Sequence, residues 1–182
     1  MNKKKLSASY KMALGGIFSS LAVVSMLISY IVPTATYACP ALAGVMLIPI
    51  VIEIGKGWAL CAYTAVSLLS FFIIPDKELV LCFVFYFGFY PILKAIFEKH
   101  LKKTLCWLVK ISAFAICMTA VFFLSIYVLG ISQDSFTIFG VYLPWLFLIV
   151  GTVVFVIYDI ALTRVIGAYV NVWRKKLLKR FL

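Results

Sequence analysis

The chain has 182 residues, of which 65% are apolar or aromatic and only 13% charged, with a mean hydropathy of +1.15. Soluble domains average roughly 45–50% apolar and about 25% charged residues, so a water-soluble enzyme, a disordered tail, a collagen-like fibre and a disulfide-rich secreted module are excluded. The remaining class is an all-α polytopic membrane protein, whose net charge of +11 gathers at the ends of apolar runs.

A hydrocarbon core of about 30 Å needs roughly 20 helical residues. The first run, 12–32, follows Lys3, Lys4, Lys5 and Lys11 and stops at Pro33. It is longer than the roughly 7–15 residues of a cleaved signal's apolar region, so it reads as a retained helix. The second, 40–54, is short, carries Pro49 and ends in Glu53-Ile54-Gly55-Lys56-Gly57, which predicts a kinked crossing. The third, 58–74, is stopped by Pro75-Asp76-Lys77-Glu78, and the fourth, 79–97, runs into Glu98-Lys99-His100-Leu101-Lys102-Lys103. The fifth, 104–130, is the longest. The polar stretch Ser132-Gln133-Asp134-Ser135 separates it from the sixth, 141–163. Residues 165–182 place Ile166, Tyr169, Val170, Trp173, Leu177 and Phe181 on one helical face opposite cations, the pattern of an interfacial helix. Helices are the element expected throughout, because a lipid-facing strand leaves its backbone unpaired unless a barrel closes.

Six crossings with both termini cytoplasmic place every cation except Lys77 on the inner side, and cytoplasmic loops keep Lys and Arg. The expectation is one integral domain, 1–182, multi-pass in the cell membrane. The lipid bilayer is its first partner, and no motif calls for nucleic acid.

Catalytic motifs are scarce. There is no G-x-x-x-x-G-K-[ST] phosphate loop, His100 has no second imidazole near it, and the five cysteines form no C-x-x-C pair. The reading is therefore of a non-enzyme with no cofactor and no metal. Cys39 and Cys82 both fall near the outer face, where a bridge is conceivable. Ionisable residues within the spans are Glu53, Lys94, Asp159 and Arg164. They could form a proton relay or counter-ion set, but a set of ion pairs such as Glu53 with Lys94, plus snorkelling to the headgroups, is the favoured reading. Toward the outer side, Tyr37, Phe85, Tyr86, Tyr90, Gln133, Asp134, Tyr142 and Trp145 are candidate solute-binding residues; Tyr142 and Trp145 also fit an aromatic belt. On the first helix, Gly15 and Ser19 line one stripe with Ala22 and Ser29. Ala13, Gly16 and Ser20 lie beside it, a spacing that lets helices approach closely, whether the partner is internal or another protein.

Three stretches carry a family resemblance: Lys11-Met12-Ala13-Leu14-Gly15-Gly16-Ile17; Leu42-Ala43-Gly44-Val45-Met46-Leu47-Ile48-Pro49 leading to Gly55-Lys56-Gly57-Trp58-Ala59-Leu60; and Phe87-Gly88-Phe89-Tyr90-Pro91-Ile92-Leu93-Lys94. Over most of its length the chain resembles the substrate-binding S components of energy-coupling factor (ECF) transporters. The resemblance implies capture of a vitamin or similar micronutrient from outside, docking on a transmembrane coupling subunit energised by two ATPase subunits, and a ligand site in the outer half. In that family an alanine-x-x-x-alanine element of the first helix contacts the coupling subunit. Here Ala13 is followed four residues on by Ile17, and Gly15 with Ser19, or Gly16 with Ser20, would substitute. The other reading is a non-catalytic membrane scaffold of a cell-envelope complex (MreD-like), with the first-helix stripe and the basic tail used for partner contacts.

Overall fold

The structure, a computed structural model, describes residues 7–31, 37–130, 137–138, 141–142 and 144–173. It is helical apart from one two-residue strand pair, and five of its helical segments are long and apolar enough to cross a membrane. The chain forms two compact units, Met1–Ser135 and Phe136–Leu182.

In the first unit, α1 (Ala8–Leu27) starts at Ser7, whose hydroxyl oxygen accepts from the Tyr10 N–H at 3.2 Å, and closes in a tight turn over Ile28–Tyr30. The second apolar segment is split into α2 (Ala38–Met46) and α3 (Ile48–Glu53). Pro49 explains the split, since it has no N–H to give a carbonyl one turn back and its ring crowds that carbonyl. Gly55 then adopts φ +121°, a conformation closed to side chains with a Cβ, and turns the chain into α4 (Lys56–Ile73).

The α4–α5 turn closes on itself. Lys77 Nζ donates to the Phe71 and Ile74 carbonyls at 2.6 and 2.9 Å, satisfying the end of α4. Asp76 caps α5 (Lys77–Cys82) by accepting from the Leu79 N–H at 3.2 Å, and Glu78 sits in the first turn, where the helix dipole favours an anion. A π-helical segment (Phe83–Phe87) and α6 (Tyr90–His100) complete this span, and α7 (Lys103–Tyr127) returns beside it.

Burial identifies the central staff of this unit. Of the most apolar window of Lys77–His100, 61% is buried, against 28% for Ala8–Tyr30, 17% for Lys56–Ile73 and 22% for Lys103–Tyr127. The outer staves expose Ile17, Val24, Leu68, Phe72, Leu108 and Ile116, the faces expected to meet lipid. Helix α1 packs on α2 and α4 through Leu14, Ala22, Ser25 and Met26, and Ser70 of α4 donates to Met26 Sδ at 3.4 Å. The split segment lies along the central staff: α2 against α5, the π segment and α6, and α3 against α6.

In the second unit, β1 (Thr137–Ile138) pairs antiparallel with β2 (Val141–Tyr142), with Thr137 opposite Tyr142. Helix α8 (Pro144–Ala168) follows and runs into a π turn, Tyr169–Trp173. The sequence places the start of the sixth run at residue 141. Residues 141–142 are strand, and the last long helix starts at Pro144, a residue suited to a first helical turn because its missing N–H would go unused there. The interfacial helix expected from residue 165 is, as far as residue 173, the uninterrupted continuation of α8. Residues 174–182 lie outside the described residues, as do Lys3, Lys4 and Lys5.

Candidate functional site: an interrupted span and its lysine–glutamate cluster

The chemistry of the first unit converges on the Lys77–His100 span. Pro91 cannot donate to the Phe87 carbonyl, so regular α-helix fails there and the chain takes up the change over the preceding residues. Gly88 N–H reaches past Val84 to the Phe83 carbonyl at 2.8 Å, an i to i−5 bond. The Val84 carbonyl accepts instead from the Tyr63 hydroxyl of α4 at 2.7 Å. Such π segments recur at functional positions in helices. Gly88 is required by space: a Cβ there would lie 2.6 Å from Tyr63 Cδ2 and 2.8 Å from Phe83 Cζ. The breaks are neighbours, because α2 packs along the staff from α5 through the π segment to α6, and α3 continues along α6.

From the π segment into α6, Tyr86, Tyr90, Lys94 and Glu98 succeed one another at four-residue intervals along the staff. Facing them, α7 buries Lys110, Phe114, Val121 and Ser125. The Tyr86 ring stacks on Tyr90 with centroids 5.1 Å apart and meets the Phe114 ring edge-on, also at 5.1 Å. Its hydroxyl makes a long hydrogen bond, 3.5 Å, to the Lys110 carbonyl. The Ser125 hydroxyl is buried with no hydrogen-bond partner among the described residues.

Lys94 and Lys110 are 1% and 3% exposed, and both amines sit 2.8 Å from the same atom, Glu98 Oε1. Lys94 reaches it one turn along its own helix, and Lys110 reaches it from α7. At about 1.5 Å per residue, Lys94 lies about 9 Å from the end of α6 and Lys110 about 10 Å from the start of α7. A buried ammonium is tolerated only with a charged or strongly polar partner, and Glu98 supplies one to each. The Trp107 ring, 5.5 Å from Lys110 Nζ, adds a cation–π contact.

The sequence-derived candidates divide as follows. Tyr86 and Tyr90 are brought together and are 0% and 1% exposed, while Phe85 is half-buried. Tyr37 is exposed and donates its hydroxyl to Glu78 Oε1 at 2.7 Å. Desolvation, then the Glu78 carboxylate, raises the Tyr37 hydroxyl well above the ordinary tyrosine range, so it stays a donor at any physiological pH. Tyr142 ends β2 and Trp145 lies in the first turn of α8. Gln133 and Asp134 lie outside the described residues. Lys94 makes an ion pair with Glu98, and Glu53 is half-buried at the end of α3. Asp159 is buried and Arg164 exposed on α8. Cys39 and Cys82 are buried free thiols. On α1, Ala13, Gly16 and Ser20 are exposed and Gly15 and Ser19 half-buried, while Ala22 and Ser29 of the same stripe are buried. A Cβ on Gly15 or Gly16 would meet nothing within 4 Å.

Three residues of the site were not singled out from sequence. Glu98 reads as part of a helix stop, Lys110 as flanking charge, and Tyr63 as one more aromatic of an apolar run. The available signal was the spacing of Lys94 and Glu98, an i, i+4 pair of opposite charge. Comparison with protein-family models, curated proteins and solved structures finds no match to this chain.

Proposed function

We propose that this chain is the solute-capturing membrane subunit of an ECF-type vitamin or micronutrient importer, a non-catalytic protein that relies on partner ATPases for energy. In this reading it crosses the cell membrane six times, with α2 and α3 together forming the second crossing and both termini cytoplasmic. The observation that carries the reading is the pair of proline-interrupted segments lying side by side. Interrupted helices within a membrane mark solute and ion sites, because their backbone polar groups need partners that lipid cannot provide. The stacked Tyr86–Tyr90 pair beside the break suits a small, partly aromatic solute. The 16 residues of Ala38–Glu53 rise about 24 Å, short of the hydrocarbon thickness, a mismatch that bilayers absorb by local thinning. The exposed face of α1 bearing Ala13, Gly16 and Ser20 is where the coupling subunit would dock, and it equally serves the scaffold reading, so ligand binding is what separates the two.

The test combines a vitamin panel with co-purification. A true ligand at 100 times its dissociation constant is expected to stabilise the purified chain by about 2.7 kcal/mol. ATPase and coupling subunits are expected to co-purify in mild detergent. Gly16→Leu is expected to abolish that co-purification while leaving the isolated chain as stable as before. Stabilisation by no micronutrient, together with co-purified envelope proteins and no ATPase, would replace the importer reading with the scaffold.

A further inference from the structure

The turn between α6 and α7 carries more charge than its internal pairing uses. From residue 94 to residue 110 the sequence holds five lysines and a single carboxylate, Glu98. The hairpin end as a whole is strongly cationic. Lys94 and Lys110 are drawn inside on Glu98, whose own side chain is 45% exposed. Lys99, Lys102 and Lys103 stay exposed around the mouth. Immediately beyond this rim, α7 presents Leu105 and Leu108, 50% and 64% exposed. The arrangement therefore has three layers: a cationic rim, a half-open carboxylate bridged by two buried amines, and bare apolar surface alongside. Because the turn joins two apolar spans, the rim falls at headgroup depth and the leucines at acyl-chain depth.

We propose that the α6–α7 hairpin end is a binding site for an anionic phospholipid, with the phosphate held by Lys99, Lys102 and Lys103 and an acyl chain laid on Leu105 and Leu108. The exposed leucines are what commit the site to a lipid rather than to a free anion: a soluble phosphate would use the rim and leave them bare. Basic clusters at the mouth of membrane helices attract anionic headgroups in this way. Glu98 has a second consequence. It sits where its negative charge opposes an incoming phosphate, so the carboxylate tempers the affinity, and its removal lifts that opposition.

The experiment uses the full chain in nanodiscs of phosphatylethanolamine with a minor fraction of phosphatidylglycerol, followed by mass spectrometry of the lipid retained after extraction into neutral detergent. Roughly tenfold enrichment of phosphatidylglycerol over its bulk ratio is expected for the natural chain. The Lys99→Gln/Lys102→Gln/Lys103→Gln variant, which leaves the Lys94–Glu98–Lys110 cluster untouched, is expected to return to the bulk ratio. Glu98→Gln is expected to gain more in Tm from added phosphatidylglycerol than the natural chain does. If Glu98→Gln fails to fold, the triple variant decides alone. Retention at the bulk ratio, enrichment that survives the triple variant, or equal stabilisation by inorganic phosphate would each overturn the assignment.

Discussion

Glu98→Gln in neutral detergent is expected to lower the unfolding free energy by about 2 kcal/mol, more than any other single charge change in the α6–α7 hairpin. Removing one member of a buried ion pair costs about 3–5 kcal/mol because the other charge is stranded, and the half-exposed position of Glu98 reduces this through solvent screening. The decisive feature is asymmetry. Glu98 serves two ammonium groups on one oxygen, so its loss takes a charged acceptor from both. Lys110→Met removes a charge and keeps an apolar stem of similar size, leaving Glu98 with Lys94 and with solvent, and should cost about 1 kcal/mol. Denaturant titration of both variants checks the order. Equal losses, or a larger loss for Lys110→Met, would mean that the cluster does not depend on Glu98 as its common acceptor.

The second large effect is expected at Gly88. A methyl group there would lie 2.6 Å from the Tyr63 ring, well inside contact distance, and the ring cannot swing away without giving up its 2.7 Å hydrogen bond to the Val84 carbonyl. Overpacking of this kind costs about 1–3 kcal/mol, partly offset by the roughly 1 kcal/mol that alanine gains over glycine in helix propensity. The net expectation for Gly88→Ala is a loss of up to about 2 kcal/mol. Tyr63→Leu opens the space while losing the hydroxyl's bond, so Gly88→Ala in the Tyr63→Leu background should cost much less than it does alone. Additive losses in that cycle would show that the two residues do not share the break.

Much of the architecture was legible because hydropathy and charge report membrane helices directly. The runs at 12–32, 58–74, 79–97 and 104–130 all appear as helices, with ends displaced by a few residues because polar caps rather than apolar composition set them. Ser7 extends the first helix outward through a side-chain cap, and Asp76 lets α5 begin at Lys77. Pro49 announced the kink in the second segment, since a missing N–H is a local property. The π segment was not legible. Phe83 to Phe87 is apolar under either helical period, and only the demand made by Pro91 and the tyrosine on a neighbouring helix selects the wider turn. Val141 and Tyr142 suit a strand as well as a helix, and their partners Thr137 and Ile138 decide the matter through backbone pairing.

The site was legible in part. Tyr86 and Tyr90 were found from their depth in an aromatic run, but their stacking with each other joins the π segment, which holds Tyr86, to the start of α6. Lys110 looked like a flanking cation because its burial follows from how the α6–α7 hairpin closes, which no spacing on α7 alone reveals. The glycines of α1 caught attention as packing residues, yet among the described residues a Cβ on Gly15 or Gly16 would meet nothing within 4 Å, so no neighbour there requires a glycine.

The central claim is that the proline-interrupted Lys77–His100 segment spans the membrane as one staff, with its lysine-rich end inside. Cysteine accessibility in intact cells tests it most directly, with the natural cysteines replaced and Pro75→Cys and Lys102→Cys introduced singly. The account predicts that an impermeant maleimide labels position 75 in intact cells and position 102 only after permeabilisation. Labelling of both positions from outside would mean that the segment enters and leaves by the same face, and the oriented bundle would be wrong.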